Sequence, residues 1–580
     1  TGTGTAVAGA GFSLTRRLRA VLLFAGVASF VPAHPVIAQS TAPSSITPPT
    51  LRPPSAGNDG ATVIPEAEGL TPPTGAEGLE VHIERIEVEG GFAEVARETG
   101  TIVAQIAGRR VTLAELYAAA SAIEAAHARA GYVLARVAVP PQQIVDGGRF
   151  RILVIDGFIE SIDATAVPAR VRRSVMARAA ALVGRGHLTI GEIEQPLLLA
   201  GDAPGLTLTS TLARGREQGG ARLLLSGRHR IASGSVSLEN GFAPSLGRFG
   251  VTVQASLNSA FGWGEQIYGF AVGGHDLPGN FYGDAPVRVL GGGVTLAPGA
   301  GRFSINPEIT FSRTRPRPQP GVPATRGNLR RLSLRGGFVL EKTRRRSVSL
   351  SGAIEQIRES NDAIDFGVRL SLDRFTVGRL GATYSAPVRG GGTMAASVQV
   401  SQGLGGSDAG DLPTRLLPSR QGATTDFTKV TLTYRIGAPV GAGGELSVTA
   451  RGQTSFGRPL FRSEQTALEG SDALSAYIGG ETAVDAAIVA RAEFARPFAL
   501  GRRQWLRLSP YLFGGAGKGW VERATVVERA NLAAVNLGGG LRGGITGTRI
   551  GFALEYARAF SAVKRFDDVD RIALSASIGF

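Results

Sequence analysis

The last ten residues, Arg571 to Phe580, alternate without a break between two kinds of side chain. Ile572, Leu574, Ala576, Ile578 and Phe580 fall on one side, and Arg571, Ala573, Ser575, Ser577 and Gly579 on the other. Side chains point to opposite faces along a strand, so this segment has one apolar wall and one polar or small wall. Apolar outside and polar inside is what a membrane-spanning β-barrel requires.

The chain has 580 residues, which is long for one compact core, and two or more domains are expected. Cysteine is absent, which excludes disulfides and cysteine-based zinc sites. The net charge of +15 raises the question of nucleic acid. The arginines are spread over many turns and strands, without a basic stripe or interleaved aromatics, so no nucleic-acid partner is expected.

Residues 1–38 read as an export signal. Arg16, Arg17 and Arg19 precede an apolar run from Ala20 to Val31, and Val36-Ile37-Ala38 forms a small-residue cleavage site. No later run is apolar and long enough for a transmembrane helix, so a membrane form must be a closed barrel. Residues 39–78 are rich in Pro, Ser, Thr and Gly and read as a linker.

From Leu79 the pattern turns to mixed α/β. Val81 to Val88 alternates as a strand, and Thr112-Leu113-Ala114-Glu115 is a capping box that opens a helix ended by Gly131. Strands are expected at Val133 to Val139 and Phe150 to Ile155, on either side of Pro140-Pro141. A second unit runs from a strand at Phe158 to Ile162 through helices near Ala169 to Leu182 and Thr189 to Leu199. Strands at Leu206 to Leu212 and Ala221 to Leu225 close it. The modules are placed at 79–157 and 158–226.

Residues 227–580 carry about sixteen further alternating segments, a number that fits a barrel of this length. Val430, Leu432, Tyr434 and Ile436, alternating with Lys429, Thr431, Thr433 and Arg435, are typical. With the first strand running outward, the links after even strands are short, as at Lys342 to Arg346 and Arg389 to Gly392. Links after odd strands are longer: Arg313 to Asn328, Gly403 to Asp426 and Gly457 to Val484. Short periplasmic turns and long external loops are the known asymmetry of outer-membrane barrels. The expected fold is a transmembrane β-barrel of about sixteen antiparallel strands behind two periplasmic α/β modules.

Several motifs make the reading more specific. Gly131-Tyr132-Val133-Leu134-Ala135-Arg136, then Pro140-Pro141-Gln142, Gly147 and Gly157, are similar to the first POTRA module of the two-partner secretion outer-membrane transporters. These are the TpsB type, ShlB/FhaC/HecB-like haemolysin secretion/activation proteins of the Omp85 superfamily, and the resemblance covers about residues 79 to 580. The terminal strand ending on Phe580 resembles the sorting and assembly signal of outer-membrane proteins, which implies contact with the barrel-assembly machinery during biogenesis.

That family carries a Val-Arg-Gly-Tyr element in the sixth external loop, whose arginine meets an aspartate of a Phe-x-Asp-x-Gly element on strand thirteen. Here the matching residues are Leu474-Ser475-Ala476-Tyr477, with Arg491-Ala492-Glu493-Phe494 on the next strand. The strand-thirteen run is Phe513-Gly514-Gly515-Ala516-Gly517, with Gly515 at the aspartate position. Both charges are absent together. Losing one alone would strand a buried charge at about 3–5 kcal/mol, whereas losing both is close to neutral. The family's ion pair therefore cannot be what holds the loop here.

Gly538-Gly539-Gly540-Leu541-Arg542-Gly543 matches a dinucleotide glycine pattern but precedes a strand rather than a helix. The six histidines lie far apart, and no cluster suggests a nucleophile and base. No catalytic, cofactor-binding or metal-binding residue is expected, and no cofactor. The resemblance implies a monomer in outer-membrane lipid that exports a secreted, TpsA-like exoprotein. An Omp85-type factor that assembles other barrels is the runner-up, and a plain diffusion porin would need no α/β modules.

Overall fold

The computed structural model describes residues 42–48, 62–63 and 70–580, apart from 275–278, 284, 407–416, 481, 527 and 562–569. The expected export signal at 1–38 lies outside the described residues, as does most of the linker.

The first α/β module is a four-stranded sheet in the order Arg109–Thr112, Glu80–Gly90, Gly148–Ile155, Arg136–Ala138, covered by helices Ala96–Ala104 and Leu113–Arg129. Leu116, Ala120 and Ile123 on the long helix pack on Ile83, Phe150 and Ile152 of the sheet. The capping box forms as expected: the Glu115 amide donates to Thr112 Oγ1 at 3.2 Å and the Thr112 amide donates to Glu115 at 2.6 Å. Two elements were not legible, the helix Ala96–Ala104 and the strand Arg109–Thr112. That helix contains Thr99, Gly100 and Thr101, all poor helix formers, and none of its residues is buried. The strand expected from Val133 begins only at Arg136. Gly131 adopts φ +101°, and the Tyr132 amide folds back to the His127 carbonyl at 2.9 Å, so residues 132–135 are still turning out of the helix cap.

The second module uses strands Phe158–Ala166, Leu206–Arg214 and Gly220–His229 with helices Ala169–Ala179 and Ile190–Gly201. Its second helix is capped by the same reciprocal Thr189–Glu192 box. The fourth strand of this sheet comes from the linker: Thr62–Val63 runs parallel to Leu206–Arg214 at the sheet edge.

The rest closes into an antiparallel barrel of sixteen strands. They are β1 Ala232–Glu239, β2 Gly250–Asn258, β3 Gln266–Gly274, β4 Val287–Thr295, β5 Phe303–Thr314, β6 Thr325–Lys342, β7 Ser347–Ala363 and β8 Val368–Val388. There follow β9 Gly392–Gly406, β10 Thr428–Val440, β11 Gly444–Thr454, β12 Ala486–Ala495, β13 Leu506–Trp520, β14 Asn531–Ile545, β15 Ile550–Ser561 and β16 Asp570–Gly579. Alternation sets the two faces. On β15, Phe552, Leu554, Tyr556 and Phe560 are exposed on the outer wall, while Glu555, Ala557 and Ala559 are buried inside. On β16 the exposed row is Ile572, Leu574, Ile578 and the terminal Phe580, as the terminal strand predicted.

The barrel closes where Ser235–Glu239 of β1 pairs with Ser575–Gly579 of β16. Beyond Glu239 the Asn240 side chain continues the seam, donating to the Ile572 carbonyl and accepting from the Leu574 amide, both at 2.8 Å. The second module docks on the periplasmic turns. Arg170 donates to the Ala260 carbonyl at 2.7 Å, Arg178 to Ala297 at 3.1 Å, Arg344 pairs with Glu194 at 3.4 Å, and Lys342 pairs with Asp202.

Candidate functional site in the barrel lumen

Among the described residues, two chain segments lie inside the barrel. The first is residues 42–48, which the linker composition had not placed. Pro43–Ile46 forms a helical turn against the inner faces of β5, β6 and β7. The Ser44 amide donates to Glu359 Oε1 at 3.0 Å, Ser312 Oγ donates to the Pro43 carbonyl at 3.3 Å, and Arg331 donates to the Pro48 carbonyl at 2.9 Å.

The second is the sixth external loop, residues 455–485 between β11 and β12. Its entry is fixed by charge. Glu464, fully buried, accepts from Arg379 of β8 at 2.6 Å and pairs with Lys429 of β10 at 2.8 Å, and Arg379 also holds Glu355 of β7 at 2.9 Å. At the exit, Asp485 pairs with Arg420 and accepts from the Leu460 amide at 2.9 Å and the Glu522 amide at 2.7 Å. Arg420 further pairs with Glu528 at 3.2 Å, so the fifth, sixth and seventh external loops meet at one guanidinium.

Between these anchors lies the Leu474-Ser475-Ala476-Tyr477 element. Leu474, Ala476 and Tyr477 are buried in an apolar cluster with Leu468, Val489, Phe513, Ala534 and Ala557. Small residues on the wall make room for it. A Cβ on Gly515 would lie 2.6 Å from Asn536 Oδ1 and 3.2 Å from the Ala473 carbonyl, and one on Gly517 would press on Val489 and Leu468. The glycines of β13 form a shelf on which the loop rests.

The Ser475 hydroxyl is met from the wall. Arg491 Nη1 of β12 donates to Ser475 Oγ at 3.0 Å, and Asn536 Nδ2 of β14 donates to it at 3.3 Å. Arg491 sits directly across from Gly515 in the strand register. Its guanidinium pairs with Glu555 at 2.7 Å and Glu493 at 3.2 Å and lies 3.5 Å from the Phe513 ring centre. The cation is on the wall and the acceptor on the loop. Sequence inspection noted Arg491 but could not assign it, because the cross-strand neighbours Glu555 and Asn536 are remote in the chain. Arg571 adds a link to the seam: it donates to the carbonyls of Ser475 at 2.9 Å, Tyr477 at 2.8 Å and Asn240 at 3.2 Å.

The residues singled out in the first module serve its junction with the second. Tyr132, Phe92 and His187 meet edge-on or tilted, with centroids 4.2–4.8 Å apart. A Cβ on Gly157 would lie 2.0 Å from the Leu134 carbonyl, so glycine is needed where the modules meet. Arg136 donates to the Val133 and Ala135 carbonyls at 3.1 and 3.2 Å, and the Gly147 amide bonds to His82 at 2.8 Å. Pro140 and Pro141 lie in the link between Arg136–Ala138 and Gly148–Ile155, where the Gln142 side chain accepts from and donates to Arg151.

Comparison with known proteins agrees with this architecture. Residues 223–543 match the model for haemolysin secretion/activation protein ShlB/FhaC/HecB, and residues 81–157 match that for the POTRA domain, ShlB-type. The chain belongs to the ShlB/FhaC/HecB family. Its barrel is thus an outer-membrane barrel with the POTRA modules in the periplasm. Heme/hemopexin transporter protein HuxB of Haemophilus influenzae (strain 86-028NP) is 26% identical over 175 residues, 30% of this chain and 31% of that protein. HuxB of strain ATCC 51907 / DSM 11121 / KW20 / Rd is 24% identical over 195 residues, 33% of this chain and 34% of that one. The chain thus spans about a third of the length of these relatives. In fold it is similar to CdiB from Escherichia coli, with TM-score 0.66 and 19% identity over 93% of this chain and 94% of that one. CdiB from Acinetobacter baumannii gives TM-score 0.59 and 13% identity over 94% and 95%.

Proposed function

We propose that the protein captures an unfolded, secreted exoprotein of the TpsA type in the periplasm and passes it through the barrel lumen to the cell surface. The observation that carries this reading is a polar lumen occupied by two inserts, one from the segment ahead of the POTRA modules and one from the sixth external loop. Residues 42–48 and the sixth loop are seated against the wall by hydrogen bonds, ion pairs and apolar contacts, all of which can be exchanged. A channel for an extended chain needs such contents, because they close the pore at rest and can be exchanged for cargo contacts. Ser475, Arg491 and Asn536 would set the resting position of the loop.

The POTRA modules supply the capture surface. An extended cargo segment adds to a sheet edge through backbone hydrogen bonds with little sequence demand. The edge at Leu206–Arg214 carries Thr62–Val63 beside it, so cargo pairing there would displace linker residues. No bond of the cargo is made or broken in this reading, so the protein acts as a monomeric conduit and not as an enzyme. Folding of the cargo outside would bias the direction of movement. By resemblance, the cargo is a large exoprotein such as a β-helical adhesin or cytolysin.

Deleting residues 79–226 tests the proposal. Export of the cognate exoprotein should stop while the barrel still inserts. Undiminished export by the deleted form would refute the capture role.

A further inference from the structure

The outer wall of the barrel carries a charged feature that the transport reading does not use. At the external ends of β4–β8 the outward-facing positions include Arg326, opposite Asp362, and five further arginines. Arg288 and Arg313 sit directly opposite each other across β4 and β5, and Arg330, Arg358 and Arg374 form a row across β6, β7 and β8. Their outward direction follows from alternation. Each flanking residue on β7 and β8, Ile357, Glu359, Asp373 and Phe375, is buried inside, while Arg330, Arg358 and Arg374 are exposed.

Like charges directly opposite on neighbouring strands destabilise a sheet. Among the described residues no ion pair engages Arg330, Arg358 or Arg374, whereas outward Arg558 on β15 is matched by Asp570 at 3.8 Å. Arg288 and Arg313 have contacts of their own within the chain and add charge to the same patch. Elsewhere around the external rim outward cations are sparse: Lys518 of β13 stands opposite the apolar Ile488, and Arg558 is the one matched by Asp570. Among the described residues the outward arginines that face one another across strands are concentrated in this sector.

Their height matters. Just below them the outer wall becomes apolar, with Leu290, Phe311, Leu334 and Ile354 all exposed. On β6 the outward apolar residues run from Leu332 to Leu340, roughly 20 Å of barrel height at the usual strand rise and tilt. Arg330 is therefore at the level of the lipid headgroups of the outer leaflet. A cleft of about 300 Å³ opens among Arg288, Arg313, Arg330 and Arg358, with Leu290 and Phe311 in its lining.

We propose that this sector binds a phosphorylated glycolipid of the outer leaflet. Arg330, Arg358 and Arg374, supported by Arg288 and Arg313, would hold its phosphates, and Leu290 and Phe311 would receive an acyl chain. Guanidinium forks suit phosphate oxygens because two parallel N–H groups match two acceptors. The site depends on the outer-membrane setting and not on the export role.

The test uses the full chain purified in detergent, titrated with bisphosphorylated lipid A, with the same lipid stripped of phosphate, and with inorganic phosphate. Wild type should bind the phosphorylated lipid at least tenfold more tightly than the other two probes. The R330Q/R358Q/R374Q variant should lose about 100-fold, from roughly fivefold for each basic residue near an anionic surface. Equal binding of phosphorylated and stripped lipid by wild type overturns the proposal, as does inorganic phosphate binding as tightly as the lipid. A folded triple variant with unchanged affinity also overturns it. The wild-type comparison decides the matter even where the variant does not insert.

Discussion

Replacing Ser475 with alanine isolates the contact between the sixth loop and the barrel wall. The wall network survives, because Arg491 keeps Glu555 at 2.7 Å and Glu493 at 3.2 Å. Two bonds are lost, from Arg491 at 3.0 Å and from Asn536 at 3.3 Å. A bond to a charged donor contributes about 1.5–3 kcal/mol and a neutral one about 0.5–1.5 kcal/mol. They share one oxygen and are not additive, so about 2 kcal/mol is expected for the pair. At 1.36 kcal/mol per tenfold, the unseated population should rise about 30-fold. The chain has no cysteine, so a single introduced thiol reports without background. Ala473 lies on the buried side of the seated loop and Phe456 is exposed at its start. With A473C, labelling by a polar maleimide should proceed in proportion to the unseated fraction. The rate should rise about 30-fold when S475A is added, while labelling at F456C should not change. A rise below about threefold at Ala473 would show that the apolar shelf alone seats the loop, and the argument from Arg491 would fail.

Other expectations use the same physics. Arg491→Met leaves Glu555 buried without its cation and should destabilise the barrel by about 3–5 kcal/mol, seen as a lower temperature of heat-modified gel migration. Gly515→Asp brings a carboxylate against Asn536 Oδ1 and the Ala473 carbonyl, and should impair export; adding Ser475→Arg should recover part of it, and additive loss would contradict a paired site. Arg420→Ala strips the ion pairs that join three external loops and should expose them to protease on intact cells, with trypsin cleavage between 417 and 530 as the readout. The capping carboxylates Glu115 and Glu192 are held below the usual range, first by the Thr112 and Thr189 backbone amides respectively. A depressed folded-state value means that this stabilisation is present above the unfolded pKa of about 4.3 and lost as pH falls through the folded one. Hydrogen exchange in Leu113–Arg129 and Ile190–Gly201 should therefore quicken on acidification below about pH 4, and T112A or T189A should flatten that response for its own helix.

How far the chain was legible follows from the range of each interaction. The alternation of β16, the two capping boxes and the contrast of short and long strand connections are local, and each was readable from neighbouring residues. Ala96–Ala104 was not, since its helix is held by the module around it rather than by propensity. The linker was read as structureless because its composition cannot form a core. Pro43–Ile46 needs none, since the barrel wall supplies Glu359, Ser312 and Arg331 as partners.

Sequence alone determined that the strands have one greasy and one polar face, and hence that the barrel must close with water-loving groups inside. By resemblance it also led to the expectation that the family's arginine and aspartate would both be absent. What seats the sixth loop was decided by tertiary structure. Arg491, Asn536 and Glu555 come from three strands of one wall, and antiparallel registry brings them to Ser475 from up to 80 positions away in the chain. Periodicity tells which way a side chain points; only the closed cylinder tells what it meets there.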